Sequence, residues 1–340
     1  MIINSNRKFG VEIEFCTKSK LQLTKLSQRL PVVYDGSIKH IPNSGEFVSP
    51  VLSGEKGENC LVEYCETLKL YNAESEDPSM SMHIHLDGGR KEKELKITKI
   101  KPTHISPLVR IIALSNKAKD SYDVTLIAKE LLNNRYLINK PNHYISSPLN
   151  NNFVFYSLSG ILKKEPVAGY TYYYLEEQHN FNFLRNVLYF YTKYSLVMES
   201  LVSNSRKFPN MYCVPLAKSF KLEEISKLKT EGELRDYWYK GRETSRKRDD
   251  SRYHDVNLHC YFNGYGTVEI RSHGGTVDPN KILLWVRLHQ TILDKLENAT
   301  LDDINNFSSD YLGFIEFVDD ELLTKYIKRL LGYFSKIKLN

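Results

Sequence analysis

Several things are missing from this sequence. No apolar run approaches the ~18–20 residues needed to cross a bilayer, and the opening MIINSNRKFG has no apolar signal core. A cytoplasmic protein with no membrane partner is the expectation. Cysteine is scarce and odd in number: Cys16, Cys60, Cys65, Cys213 and Cys260. None has C-x-x-C spacing, so neither a zinc ribbon nor a dithiol redox motif is suggested, and five free thiols are expected. There is no G-x-x-x-x-G-K-[ST] loop, and no G-x-G-x-x-G follows a strand. P-loop and Rossmann nucleotide sites are therefore unsupported. No repeat of fixed period and no long low-complexity segment occurs. Lys and Arg number 47 against 41 Asp and Glu, a net charge of +6. That is too dilute for dedicated nucleic-acid binding, though it suits a small anionic substrate.

What remains is an ordinary globular composition, 41% hydrophobic and 26% charged over 340 residues, enough for a full enzyme core. Alternation predicts strands over 9–15, 45–51, 80–87, 255–262 and 266–272. Helical spacing predicts helices over 21–30, 58–71, 105–140 and 182–203. Asp278-Pro279 opens another, running to about residue 297. The Asn-, Pro-, Tyr- and Gly-rich stretch 141–182 reads as irregular. Strands, then helices, then strands, then helices favour an α+β fold over a doubly wound sheet.

Alternate strand residues share a face, which sorts these strands sharply. Val11, Ile13 and Phe15 oppose Glu12 and Glu14; Met82, Ile84 and Leu86 oppose His83 and His85. Val256, Leu258, Cys260 and Phe262 oppose Asn257, His259 and Tyr261, and Val268 and Ile270 oppose Glu269 and Arg271. A half-solvated sheet needs only polar residues outside, and would more often show Lys, Thr and Ser there. Glu-x-Glu, His-x-His and Glu-x-Arg together point instead to a catalytic face. Carboxylate oxygens suit Mg²⁺ or Mn²⁺, with an imidazole tolerated. His-x-His also serves zinc, but abundant carboxylate and no nearby cysteine make zinc the weaker reading. An arginine beside a metal cluster is explained by a phosphate bound to both.

These residues resemble a known pattern. Gly10-Val-Glu-Ile-Glu14 resembles the opening strand of the glutamate–cysteine ligase and amidoligase families. Asp35-Gly-Ser-Ile38 and Gly45-Glu-Phe-Val-Ser-Pro50 resemble their next motif, a D-x-S turn then G-x-E-x-x-S-P, here without the first spacer. Ser81-Met-His-Ile-His-Leu86 resembles the histidine strand shared with glutamine synthetases. Asn257-Leu258, Gly266-Thr-Val-Glu-Ile-Arg271, Gly275-Thr276 and Trp285 resemble the closing amidoligase block. Between 90 and 240 only Arg206…Asn210-x-Tyr212 is familiar.

The resemblance implies a curved antiparallel sheet of glutamine synthetase-like fold, helices on its convex side, and ATP with two or three Mg²⁺ (or Mn²⁺) ions on the concave face. Glu14, Glu46 and Asp35 would hold one metal, and Glu12, His83 and Glu269 a second. Arg271 would bind the transferring phosphoryl group, making Arg271, Glu46 and Glu269 the catalytic set. His85, Asn257, Arg206 and Arg252 would contact cofactor or substrate. A D-G-S turn is also what a plain hairpin wants, and either histidine could be the ligand. The implied domain spans residues 1–300, with a helical or irregular insertion at about 100–240 and a C-terminal helical extension over 301–340.

The implied activity is ATP-dependent joining of a small-molecule or peptide carboxylate to an amine through an acyl phosphate. Its rivals are a guanidino kinase-like phosphotransferase and a non-catalytic scaffold retaining the fold. The basic stretch Arg242–Arg252 reads first as a solvated loop, with Arg252 as the best ligand contact if it is a flap. Tyr170, Tyr172, Tyr173 and Tyr174 read as packing or a surface loop. The final helix, with Leu322, Tyr326, Leu330 and Phe334 at four-residue steps, is expected to dock on the domain, a homo-oligomer contact being the alternative.

Overall fold

The computed structural model describes residues 5–38, 40–89, 98–100, 109–114, 145–146, 153–155, 171–176, 181–242 and 249–334. The chain forms two compact units, one from residues 1–89 with 180–340 and one from residues 90–179.

The larger unit opens with β1 (Phe9–Cys16), α1 (Lys20–Ser27), β2 (Val32–Val33), β3 (Ser44–Val48), α2 (Gly54–Leu70) and β4 (Ser81–Asp87). The smaller unit contributes β5 (Thr98–Ile100), β6 (Val109–Leu114), β7 (Ile145–Ser146), β8 (Phe153–Phe155) and β9 (Thr171–Glu176). The larger unit then resumes with α3 (Phe181–Lys193), α4 (Ser195–Ser200), α5 (Leu222–Lys227), α6 (Glu231–Tyr239), β10 (Val256–Asn257) and β11 (Thr267–Gly274). It closes with α7 (Pro279–Asn298), α8 (Leu301–Asn305), α9 (Tyr311–Val318) and α10 (Glu321–Phe334).

In the larger unit six strands form one open sheet, ordered β10-β11-β4-β1-β3-β2. Every neighbouring pair is antiparallel, so the fold is α+β. The alternation predicted for the strands decides its faces. Val11, Ile13, Phe15, Phe47, Met82, Ile84, Leu86, Val268 and Ile270 are all buried. They share one core with Leu61, Cys65 and Leu68 of α2, Phe183, Val187 and Phe190 of α3, and Ile282, Trp285 and Leu288 of α7. Each such side chain contributes roughly 1.5–3 kcal/mol on leaving water, so this face holds the helices against the sheet. Asp278 caps α7 by accepting from the Asn280 N–H, with Pro279 in the first turn as predicted. Buried Arg7 ties the approach to β1 to α7: its Nε donates to Asp294 (2.7 Å), its Nη2 to Glu297 (2.6 Å) and its Nη1 to the Asp87 carbonyl (2.5 Å). The final helix docks as expected, burying Leu323, Tyr326, Ile327 and Leu331.

Three local expectations need correction. The helix predicted over 182–203 breaks at Tyr194 into α3 and α4. The helix predicted over 105–140 gives way to strand at Val109–Leu114, its remainder lying outside the described residues. Within the stretch read as irregular, β7, β8 and β9 join a second antiparallel sheet ordered β5-β9-β6-β8-β7. Tyr172, Tyr173 and Tyr174 belong to β9, and Tyr170 lies outside the described residues. Runs such as VRIIAL and TYYYLE are rich in β-branched and aromatic residues, but too short for periodicity to separate strand from helix or loop.

Candidate functional site

Strand register carries the polar residues of five strands to one place. Across the sheet, Asn257 faces Glu269 and Glu269 faces His85. One step along, His83 faces Glu12; beyond it, Glu14 faces Glu46. Side chains opposite one another on one face of a sheet lie within reach. The result is a band of carboxylates and imidazoles on the face away from the core, ending in Arg271.

Among the described residues, three groups within the band have the geometry of cation sites, each with candidate ligand atoms within 4.8 Å of one another. The first is Glu14, Asp35 and Glu46; the second is Glu12, Glu46 and His83, so Glu46 belongs to both. The third is His85, Cys260 and Glu269. Asp35 comes into range because its turn follows β2, which pairs with β3. Its carboxylate accepts from the Ser37 amide (2.8 Å) and hydroxyl (2.5 Å), and that hydroxyl lies 3.4 Å from Glu14. Glu269 was expected to join Glu12 and His83, and its Oε1 does lie 3.6 Å from His83 Nδ1. It is held more closely by Arg271 Nη1 (2.5 Å) and by Asn257 Nδ2 (2.6 Å).

The charges are unevenly compensated. Burial drives the Glu14 carboxyl up, to about 7, with nearby Asp35 adding to the rise. Burial also lifts Glu46, to about 8, and Glu12, Asp35 and Glu14 push it further. At the other end, burial opposes ionisation of Glu269, but Arg271, His85 and His83 outweigh it and hold the carboxyl below its usual range. Glu12 is likewise lowered despite burial, by its hydrogen bonds to His83 and His85. His85 is raised to about 9, because Glu269 and Glu12 overcome its desolvation. His83 goes the other way, depressed by burial and by Arg271. The Arg271 end is thus neutralised within the protein, whereas the carboxyls of Glu14 and Glu46, crowded together with Asp35, are driven toward their protonated forms. A divalent cation fits the Glu14–Glu46 end, and the all-oxygen set of Glu14, Asp35 and Glu46 suits a hard one.

Two anticipated ligand contacts, Arg206 and Arg252, make contacts within the protein. Arg206 is buried, donates through Nη2 to the Arg271 carbonyl (3.0 Å) and lies close enough to Glu14 and Arg271 to feel their charges. Arg252 stacks on the Tyr253 ring (4.6 Å) and donates to its hydroxyl (2.6 Å). Tyr253 meets Tyr212 edge-on, and the Tyr212 carbonyl lies 3.5 Å from Arg271 Nε. Arg252 therefore stands at the rim, two rings from Arg271. Asn257 keeps its place on the polar face, where it orients Glu269.

The predicted strand 255–262 is overturned beyond Asn257. The chain turns helical at His259 and makes one π turn over Tyr261–Tyr265. Gly266, in the left-handed region at φ 70°, closes that turn, and Gly88 leaves room for the Tyr261 ring, which would lie 2.5 Å from any Cβ there. The turn moves His259, Cys260 and Tyr261 off their assigned faces, while Val256, Leu258 and Phe262 stay with the core. His259 swings away to meet the Tyr239 hydroxyl (2.7 Å), and Tyr261 enters the core. Cys260, assigned to the apolar face, comes to lie 3.1 Å from Glu269 Oε2.

Ser81 was also missed. Its amide donates to Glu14 Oε2 (2.6 Å), and its hydroxyl shares a hydrogen bond with His83 Nε2 (2.9 Å). That leaves His83 Nδ1 facing Glu12 (3.3 Å). Its position two residues before His83, on the same strand face, was the available signal.

No helix among the described residues is long and apolar enough to cross a membrane. No curated protein and no solved structure matches the chain. The match that does exist begins at β9's last residue and takes in β10, β11 and most of α7, hence Asn257, Glu269 and Arg271. The strands bearing Glu12, Glu14, Glu46, His83 and His85 precede it, joined to it by the β4–β11 pairing. Residues 176–293 match the family model described as "Putative amidoligase enzyme", in agreement with the resemblance seen in the motifs, and this match points to an enzyme of the ligase class.

Proposed function

We propose that this protein is an ATP-dependent carboxylate–amine ligase acting on the polar face of a glutamine synthetase-like sheet. The observation that carries the reading is the uninterrupted band from Asp35 through Glu14, Glu46, Glu12 and His83 to Glu269 and Arg271. One end has the donor set for hard divalent cations. The other carries a guanidinium that is 15% exposed. A polyphosphate laid along the band would meet cations at one end and Arg271 at the other.

The chemistry follows from leaving groups. A carboxylate resists attack by an amine because oxide would have to leave. Transfer of the γ-phosphoryl group to the carboxylate makes phosphate the leaving group instead. Bound Mg²⁺ or Mn²⁺ would neutralise the polyphosphate and draw off charge as the phosphoryl group moves. In this scheme Glu14, Asp35 and Glu46 would hold one ion and Glu12, Glu46 and His83 the second, with Glu46 common to both groups. Glu269 accepts from Arg271 and fixes the plane of its fork, and Arg271 stabilises the equatorial oxygens during transfer. Asn257, anchored on Glu269, sets the carboxylate's rotamer. Burial of the band on the sheet raises the strength of each of these interactions over that in water.

The test is product analysis with carboxylate substrates labelled with ¹⁸O, offered as mixtures of amino acids and small peptides with ATP and Mg²⁺. A ligase yields ADP, an amide, and phosphate carrying one ¹⁸O from the carboxylate. ADP with a phosphorylated guanidine and no free phosphate would establish the phosphotransferase reading instead. Absence of ATP binding in the presence of Mg²⁺ would remove the proposal altogether.

A further inference from the structure

Zinc ranks low on sequence grounds because no cysteine neighbours the histidine strand. The fold removes that objection. Cys260 Sγ lies 3.1 Å from Glu269 Oε2, and with His85 the two form a group whose ligand atoms lie within 4.8 Å of one another. We propose that His85, Cys260 and Glu269 form a distinct site for a thiophilic divalent cation, Zn²⁺ being the natural occupant.

The donor set differs in kind from its neighbours. The Glu14, Asp35 and Glu46 group offers only oxygen, which suits Mg²⁺. One imidazole, one sulfur and one carboxylate are the ligand types of zinc, and three protein ligands leave a fourth tetrahedral position open. Mg²⁺ gains little from sulfur, so the same three residues discriminate strongly between the two ions.

The supporting shell is in place. Asn257 Nδ2 donates to Glu269 Oε2 (2.6 Å) and lies 3.5 Å from Cys260 Sγ, orienting two of the three ligands together. His85 Nδ1 lies 3.3 Å from the Thr267 hydroxyl, which fixes the plane of the ring. Cys260 is held by the helical turn, through the Tyr261 and Phe262 amides that donate to the Leu258 carbonyl (3.0 and 3.1 Å). Binding releases two protons to solvent, the Cys260 thiol proton as the Zn–S bond forms and the extra proton of the His85 imidazolium as the Zn–N bond forms; no electron transfer is involved. Because Glu269 also pairs with Arg271, an ion here would draw the carboxylate away from the guanidinium. The site does not depend on the ligase reading, since it rests on three side chains and their spacing.

Cobalt substitution tests it. Co²⁺ added to the full chain under a phosphine reductant should give a thiolate-to-cobalt charge-transfer band. One equivalent of Zn²⁺ should remove the band, and excess Mg²⁺ should leave it. Cys260→Ser should abolish the band and weaken Zn²⁺ by on the order of 100-fold or more, the upper end of losses seen even for residues behind the ligands. Cys60→Ser, on α2, should keep it. Wild-type protein gives a second measurement that needs no variant to fold: Zn²⁺ should protect one thiol from alkylation, mapped to Cys260 by peptide mass spectrometry. A band that survives Cys260→Ser, or Zn²⁺ that leaves Cys260 alkylation unchanged, overturns the proposal. Loss of ATP binding by the Zn²⁺-free wild type would count against the ligase reading alone.

Discussion

Replacing Glu46 by Gln should stabilise the metal-free protein and weaken its response to metal. Glu46 is the carboxylate common to two cation groups and is lifted from 4.5 to about 8 by burial and by Glu12, Asp35 and Glu14. For an acid raised on folding, the penalty is absent below the unfolded value of 4.5, grows as pH rises, and is complete above 8. At pH 7 the unfolded chain is ionised while the folded one keeps its proton. At about 1.4 kcal/mol per pH unit, this costs the fold about 3 kcal/mol. Gln matches the neutral acid in shape and has no such penalty. In EDTA at pH 7 the variant should melt about 6 °C higher, taking about 2 °C per kcal/mol for a large domain. The gain should shrink below about 1 kcal/mol at pH 5. Mg²⁺ should reverse the comparison. At 100 times its dissociation constant a ligand adds about 2.7 kcal/mol, which the wild type would receive and the variant would largely lose. Differential scanning calorimetry at pH 5, 7 and 8, with EDTA or Mg²⁺, reads all of this. The reasoning fails if Glu46→Gln melts below wild type in EDTA at pH 8, or if Mg²⁺ stabilises both proteins equally.

Arg271→Lys keeps the charge but loses the planar fork, so turnover should fall about 10²-fold or more while ATP affinity changes much less. Single-turnover ADP formation beside a thermal melt checks this; a folded variant at the wild-type rate would show that Arg271 only pairs with Glu269. Ser81→Ala should weaken Mg²⁺ or Mn²⁺ by about 10–100-fold by freeing the His83 ring, and Ser81→Thr should restore it. Nitrogen-15 imidazole spectra should show a single His83 tautomer in wild type and a mixture in the alanine variant, and an unchanged spectrum would rule out the positioning role. All five cysteines are free thiols, so denatured, unreduced protein should take up five alkylating labels, and loss of two would contradict it.

The faces of the sheet were legible in the sequence because alternation within one strand is a local property. Glu12 with Glu14, His83 with His85, and Glu269 with Arg271 each share a face whatever the rest of the chain does, and the apolar partners buried as expected. The Asp278-Pro279 start of α7 and the docking of α10 were local in the same sense. Local pattern failed at residues 258–262 because a buried turn and a buried strand can use the same apolar residues, and five or six positions hold too little periodicity to choose. The choice fell to tertiary contacts, the Tyr261 ring packing where Gly88 leaves space and His259 meeting Tyr239. Relations between strands were likewise beyond local reading. Sequence determined that carboxylates, imidazoles and an arginine would line one face. Only the register between strands far apart in the chain, β4 on β11 and β1 on β3, decided that Glu46 serves two groups, that Ser81 joins Glu14 to His83, and that Cys260 stands beside Glu269. Register depends on packing the whole apolar face at once, since a slip of one residue would turn every ligand into the core.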